Sequence, residues 1–329
     1  MKKWKFSIGV DVSKLTLDIS CSELGQHVQI SNDLKGFKEF TKWCKTLGIS
    51  LNESIVVMEH TGGYEYKFIE YCDSKCITYC RIPGLEIKKS LGITRGKNDK
   101  VDSMRIAEYA EEKQKKLVAS KPLNKNILRL RQLLSFRKRL VRENAGFMST
   151  CSERKHMYGV KKDILTIVMN EKIKANKLFI KQIEKEIMEL VNSDAEMKKN
   201  YQIITSIKGI AMVNGLMTIA YTENFTSFID PRKYAVYVGV APFEHSSGTS
   251  IKGRKRTSHI ANKELKQELN QAAKSAIQYD PEIREYAARK MKSKLYGIVL
   301  NNVKFKLILR MFSLVKRGEM FVANYQKAA

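Results

Sequence analysis

The chain has 329 residues, enough for two or three domains, and a formal net charge of +26 from 60 Lys+Arg against 34 Asp+Glu. So large an excess of one sign destabilises a compact fold by self-repulsion unless a polyanion neutralises it, which makes nucleic acid the expected partner. No stretch has the length and apolarity of a membrane-spanning helix, and the basic N-terminus lacks the apolar run of a signal peptide, so the expectation is a cytoplasmic protein with no membrane partner.

The six cysteines, Cys21, Cys44, Cys72, Cys76, Cys80 and Cys151, form no Cys-x-x-Cys pair. The helical spacing of Cys72, Cys76 and Cys80 is broken by a strand expected over 77–82. Reduced structural thiols are therefore expected over a zinc site. Only five prolines occur, which suits long uninterrupted helices.

Residues 5–12 (Lys-Phe-Ser-Ile-Gly-Val-Asp-Val) are a short apolar run with Asp11 near its end, and predict a buried strand. Residues 15–20 alternate Leu, Leu, Ile with Thr, Asp, Ser, as a half-buried strand does, and 26–31 repeat the pattern after Gly25. Together they predict an antiparallel meander. Asn32 or Asp33 then caps a helix whose Phe37, Phe40, Trp43, Cys44 and Leu47 fall on one face. Residues 54–58 (Ser-Ile-Val-Val-Met) predict a buried strand with Glu59 at its end, followed by His60-Thr61-Gly62-Gly63-Tyr64 and a helix to about 74. A strand over 77–82 stops at Pro83. A short helix over 85–91, a basic loop (Thr94-Arg95-Gly96-Lys97) and a helix opening at Asp99 complete the unit. Three strands, helix, strand, helix, strand, helix is the order of an RNase H-like fold, in which acids gather at one edge of the sheet.

Asp99 and Asp102, three residues apart, share a helix face. Two carboxylates that close repel, and a divalent cation relieves the repulsion; the alternative is a pair of acids favouring the helix dipole. Asp11 and Glu59 end predicted strands, so in an RNase H-like arrangement all four would converge. Convergent carboxylates suit Mg²⁺, which prefers oxygen ligands, and two such ions can activate a nucleophile and stabilise the leaving oxygen at a phosphodiester.

From 123 the character changes to long helices. Ile127, Leu130, Leu134 and Val141 make an apolar stripe flanked by Arg129, Arg131, Arg137, Lys138, Arg139 and Arg142. After Gly159, Ile173, Ile180 and Ile187 recur every seven residues, with Ile183 and Leu190 between them and Asn176 as one polar member. That is the seam of a coiled coil, used either to dimerise or to close a hairpin within one chain. Residues 201–329 read as mostly helical. Ile207-Lys208-Gly209-Ile210 resembles a degenerate helix-hairpin-helix, whose amides touch phosphates. Pro231 opens a short helix. A loop over 243–250 is expected next, containing Ser246-Ser247-Gly248, and then a basic run, Lys252-Gly253-Arg254-Lys255-Arg256. A catalytic serine needs a base, a metal or a polarised electrophile to activate it; on the residues alone, Ser-Gly is a common turn.

Five short motifs in this order resemble one family along nearly the whole chain. They are Gly9-Val10-Asp11-Val12-Ser13-Lys14, Glu59-His60-Thr61-Gly62-Gly63-Tyr64, Lys97-Asn98-Asp99-Lys100-Val101-Asp102 with Ala107, Gly239-Val240-Ala241-Pro242, and Ser247-Gly248 followed by the basic run. The chain is similar to the IS110-type, or DEDD, transposases. The resemblance implies an α/β plus all-α fold class: a RuvC-like domain of RNase H fold over 1–122, coiled-coil helices over 123–200, and a mostly helical transposase domain over 201–329. It implies an Mg²⁺-binding tetrad of Asp11, Glu59, Asp99 and Asp102, and a nucleophilic serine at Ser247, with Ser246 as the fallback. The serine would form a phosphoserine link to DNA, aided by the tetrad of a neighbouring protomer in a homodimer or homotetramer. A structured guide RNA is implied as well, so that pairing reads sequence while the protein holds backbone shape. Lys97, Arg129, Arg131, Arg137, Arg139, Lys252, Arg254, Lys255 and Arg256 are the expected nucleic-acid contacts. Where the family has Ser-Lys-x-Gly-Asn and Leu-Arg, this chain has Ser258-His259-Ile260-Ala261-Asn262 and Leu265-Lys266, losing a bidentate phosphate fork at Lys266. Competing readings are a DNA invertase of the same superfamily, a metal-only nuclease and a non-catalytic RNA-binding protein.

Overall fold

The computed structural model describes residues 3–60, 62–90, 98–159, 163–247 and 251–323, with the backbone alone at 244–247 and 251–255. The chain divides into two compact units, Met1–Leu123 and Asn124–Ala329.

In the first unit β1 (Phe6–Val12), β2 (Thr16–Cys21) and β3 (Gln26–Ser31) form the expected antiparallel meander. After α1 (Leu34–Thr46), β4 (Ser54–Glu59) returns parallel to β1, and after α2 (Tyr66–Ser74), β5 (Tyr79–Ile82) lies parallel to β4. Helices α3 (Gly84–Ser90) and α4 (Asp99–Lys113) follow. The strand order β3-β2-β1-β4-β5 is consistent with an RNase H-like domain.

Strand periodicity decides what each face of the sheet meets. Ile8, Val10, Val56 and Met58 are buried against Phe37 and Phe40 of α1 and Phe68 and Tyr71 of α2. Ile55, Val57, Cys80 and Ile82 turn the other way, to Ile87, Ile106, Tyr109 and Ala110 of α3 and α4. The capping reading holds at Asp33, whose carboxylate accepts from the Gly36 amide at 3.0 Å. All six cysteines are free; Cys21, Cys44, Cys72 and Cys80 are buried and Cys76 is exposed.

The second unit opens with α5 (Lys125–Tyr158) and α6 (Ile164–Ser193), which pack on each other as a hairpin. The α6 seam is thus occupied within the chain. Ile173 and Ile187 are buried, and Asn176 donates to Glu143 Oε2 on α5 at 3.4 Å. Then come α7 (Ala195–Thr205), α8 (Met212–Thr222) and α9 (Pro231–Tyr237), the last opened by Pro231 behind an Asp230 cap. The chain finishes with β6 (Pro242–Ser247), β7 (Ile251–Thr257), α10 (Lys263–Tyr279), α11 (Pro281–Met291) and α12 (Tyr296–Arg317).

Two readings change. Gly209, expected to expose amides to phosphate, has φ +96° and lies where a Cβ would come within 2.7 Å of the Ala272 carbonyl oxygen. It permits close packing on α10. Residues 243–250 are not simply a loop, because 243–247 belong to β6, which pairs antiparallel with β7. A glycine-containing, highly charged segment has weak strand propensity, and only the cross-strand ladder reveals it.

Candidate active site

On β1 and β2 the α4-facing side of the sheet is a strip of small and polar residues: Ser7, Gly9 and Asp11 on β1, and Asp18 and Ser20 on β2. Gly9 has no side chain to hold α4 away. A Cβ there would lie 2.2 Å from both the Ala107 amide nitrogen and the Ser103 carbonyl oxygen. Ser20 Oγ and Ser103 Oγ share a buried hydrogen bond of 2.7 Å, and Gln114 Nε2 donates to Ser7 Oγ at 3.2 Å. These contacts clamp α4 along β1. Asn98 caps the helix by accepting from the Lys100 amide at 3.0 Å, so Asp99 and Asp102 occupy its first turn.

The acids converge electrostatically. The Asp11 carboxyl is raised from 3.8 to about 6, first by burial, then by the charges of Asp99, Asp102, Asp18 and Glu59. The other three expected tetrad members, Glu59, Asp99 and Asp102, are thus close enough to act on Asp11 near the end of β1. Glu59 ends β4 and packs beneath Gly84, where a Cβ would lie 1.7 Å from Glu59 Oε1. Asp102 Oδ1 accepts from Arg105 at 2.9 Å. The loop after Glu59 is braced by Glu65, which is 1% exposed; its Oε2 accepts from the Gly63 amide at 2.9 Å. His60 Nδ1 lies 3.0 Å from an Arg81 guanidinium nitrogen.

Sequence reasoning missed Asp18. It lies directly across from Asp11 in the β1–β2 ladder and is 3% exposed. Its Oδ1 is 2.9 Å from His27 Nε2, and its Oδ2 accepts from Gln29 Nε2 at 3.1 Å. The sequence shows only that Asp18 shares the polar face of its strand with Thr16 and Ser20; that this face meets α4, with Asp18 opposite Asp11, comes from the fold.

A hard divalent cation fits this donor set, which is all carboxylate oxygen and carries mutual repulsion that a cation would relieve. Among the described residues, no three acids, imidazoles or thiols are drawn into coordination distance.

Ser247, the expected nucleophile, is the last residue of β6 and pairs with Ile251; Ser246 pairs with Lys252. Both therefore lie at the turn end of the ribbon, and the basic run forms its second strand. Gly248 and Lys97 fall outside the described residues. Several expected nucleic-acid contacts are occupied by the protein itself. Arg129 Nε donates to Glu186 at 3.0 Å, Arg137 Nε to Glu184 at 2.8 Å, and Arg131 Nε to the Ala220 carbonyl at 3.0 Å. Arg139 is 73% exposed, with a 3.3 Å contact to Glu143, and Arg256 is exposed.

Acids gathered at the end of a sheet of this topology define a class of protein, the enzymes that cut and join phosphodiesters in nucleic acid. Two family models narrow it. A DEDD transposase model of IS110 type matches residues 8–149, and the model "Transposase IS116/IS110/IS902 family" matches 201–288. The chain belongs to the IS110 family of transposases; it is a DNA recombinase, and DNA is its substrate. The family implies dependence on a divalent metal. Among its relatives are the pilin gene-inverting proteins of Moraxella bovis and Moraxella lacunata. Both are 26% identical, over 80% of this chain and 81% of theirs. An IS110 insertion-element protein of Streptomyces coelicolor is 26% identical over 40% of this chain and 32% of its own length. Among the described residues no helix is long and apolar enough to cross a membrane.

Proposed function

We propose that the protein cuts and rejoins DNA through Ser247, with Mg²⁺ held by Asp11, Glu59, Asp99 and Asp102. The observation that carries the reading is the raised Asp11 carboxyl among the other three acids. Bound there, the ion would supply Lewis-acid polarisation of a phosphate oxygen. The serine Oγ bonds to phosphorus and loses its proton, while the displaced deoxyribose oxygen gains one. Attack by a second strand's hydroxyl then reverses the link and frees the serine. Lys252, Arg254, Lys255 and Arg256 belong to the second strand of the serine's ribbon and are assigned to the DNA backbone, as are Arg139 and Lys97. A structured guide RNA supplies sequence choice, which accords with a chain of net charge +26 whose basic side chains are not grouped into a base-reading motif.

The reading is tested with purified protein, its element-end DNA and Mg²⁺ on a denaturing gel. A covalent protein–DNA adduct is expected from the wild type and none from Ser247→Ala. An adduct persisting in Ser247→Ala but lost in Ser246→Ala moves the role to Ser246. Cleavage that persists in Ser247→Ala without any adduct favours a metal-only nuclease. RNA co-purifying with the protein tests the guide.

A second reading, site-specific inversion rather than transposition, is favoured by the names of the two Moraxella relatives. The assembly is assigned as a homodimer or homotetramer. Support comes from the turn end of the α5–α6 hairpin, where Met157, Tyr158, Ile164 and Leu165 are exposed.

A further inference from the structure

Helix α12 carries Lys304 into the interior of the second unit, where only 4% of the residue is exposed. A buried ammonium loses its hydration and ordinarily persists only when paired. Among the described residues no carboxylate acts on it; the charge that does is another cation, Lys266 on α10. Burial first and Lys266 second push the Lys304 amine down to about 8. A lysine stem can pack in a core while its head reaches water. Yet Met or Leu would fill this face of α12 without bringing a second positive charge toward Lys266.

The place where the two lysines meet is defined by its neighbours. Asn301, one turn before Lys304, donates to the Val240 carbonyl at 2.6 Å. Val240 follows Gly239, whose φ is +74° and where a Cβ would lie 3.7 Å from Lys266 Nζ. Lys266 Nζ lies 3.5 Å from Thr257 Oγ1, and Thr257 closes the ribbon opposite Pro242. The lysines thus converge at the neck of the β6–β7 ribbon, and Ser247 occupies its other end. Five residue steps of about 3.3 Å separate Pro242 from Ser247, roughly 16 Å in all.

We infer that Lys304 and Lys266 form a binding site for a phosphate of the DNA strand, at the neck of the ribbon and one ribbon length from the bond that is cut. An anion there supplies the missing countercharge to both lysines, and its capture fixes the strand along the ribbon. The pair would act by positioning rather than by chemistry. The inference rests on the proposed function in taking DNA as the ribbon's partner and Ser247 as the residue that cuts it.

The test is the anisotropy of a fluorescein-labelled DNA duplex of arbitrary sequence, titrated with full-length protein across a salt series. Loss of one phosphate contact lowers the slope of log affinity against log salt by about 0.9. That decrease is expected for Lys304→Met, with a thermal midpoint equal to or above the wild type. An unchanged slope overturns the site. So does a decrease seen only with an RNA duplex of the same sequence. Should Lys304→Met fail to fold, Lys266→Gln on the partly exposed partner is expected to show the same decrease, and an intact slope there overturns the site equally. Binding is read without cleavage, so failure of the Ser247 chemistry leaves this result interpretable.

Discussion

Gly9 and Ala107 are in contact through their backbones: a Cβ on Gly9 would lie 2.2 Å from the Ala107 amide nitrogen. This approach sets how closely α4 lies on β1, and so where Asp99 and Asp102 stand relative to Asp11. Because the obstacle is helix backbone rather than a flexible side chain, Gly9→Ala must shift α4. Overpacking of this kind costs roughly 1–3 kcal/mol and sometimes more. The expected outcome is a lower unfolding midpoint together with loss of metal-dependent cleavage. A Gly9→Ala variant with wild-type cleavage and stability would contradict the clamp.

Asp11 has the clearest pH signature. Its carboxyl titrates at 3.8 ordinarily and at about 6 in the fold, because of burial and the acids around it. Between those values the unfolded chain releases a proton that the folded chain retains, so this group's contribution makes stability fall as pH rises through the window. Below 3.8 both states are protonated and the effect is absent. Thermal unfolding in EDTA across this range is expected to show the decline in the wild type and its reduction in Asp11→Asn. The variant should be the more stable protein at neutral pH while losing cleavage. Parallel pH profiles for the two proteins would contradict the clustering.

Asp18 is expected to tune the site from across the ladder. His27 and Gln29 hold its carboxylate in place, and its charge adds to the field at Asp11. Removal of a group that supports metal ligands typically weakens metal affinity by roughly 10–100-fold. Calorimetric titration of Mg²⁺ into Asp18→Asn should show weakening of that order; unchanged affinity would reduce Asp18 to a buried structural acid.

The α5 arginines should separate into two behaviours. Arg137 is paired with Glu184 across the hairpin, so Arg137→Ala is expected to lower stability by roughly 0.2–1 kcal/mol with little change in DNA affinity. Arg139 faces solvent, and Arg139→Ala is expected to leave the melting curve alone while reducing the salt slope of DNA binding by up to about 0.9. Denaturation and anisotropy on the same two variants check both, and a reversal of the pattern would reassign the arginines.

The sequence by itself determined the elements of the first unit. Apolar alternation marked β2 and β3, an unbroken apolar run marked β4, and Asp33 marked the start of α1; each signal is local, arising from side-chain period or capping chemistry. It also placed Glu59 at the end of a strand, Asp11 near the end of another, and Asp99 and Asp102 in the opening turn of a helix, and the elements run that way. Tertiary structure decided the rest. Asp18 joins the acids only because the β1–β2 register sets it opposite Asp11, a relation between residues seven apart that no periodicity announces. The α6 seam could serve a second chain or its own, and packing on α5 gave it to its own. The basic run became a strand because a partner strand satisfies its backbone. Arg129, Arg131 and Arg137 read as free cations until Glu186, the Ala220 carbonyl and Glu184 met them. Local sequence carries propensity and pattern, whereas proximity between distant residues exists only once the chain has folded.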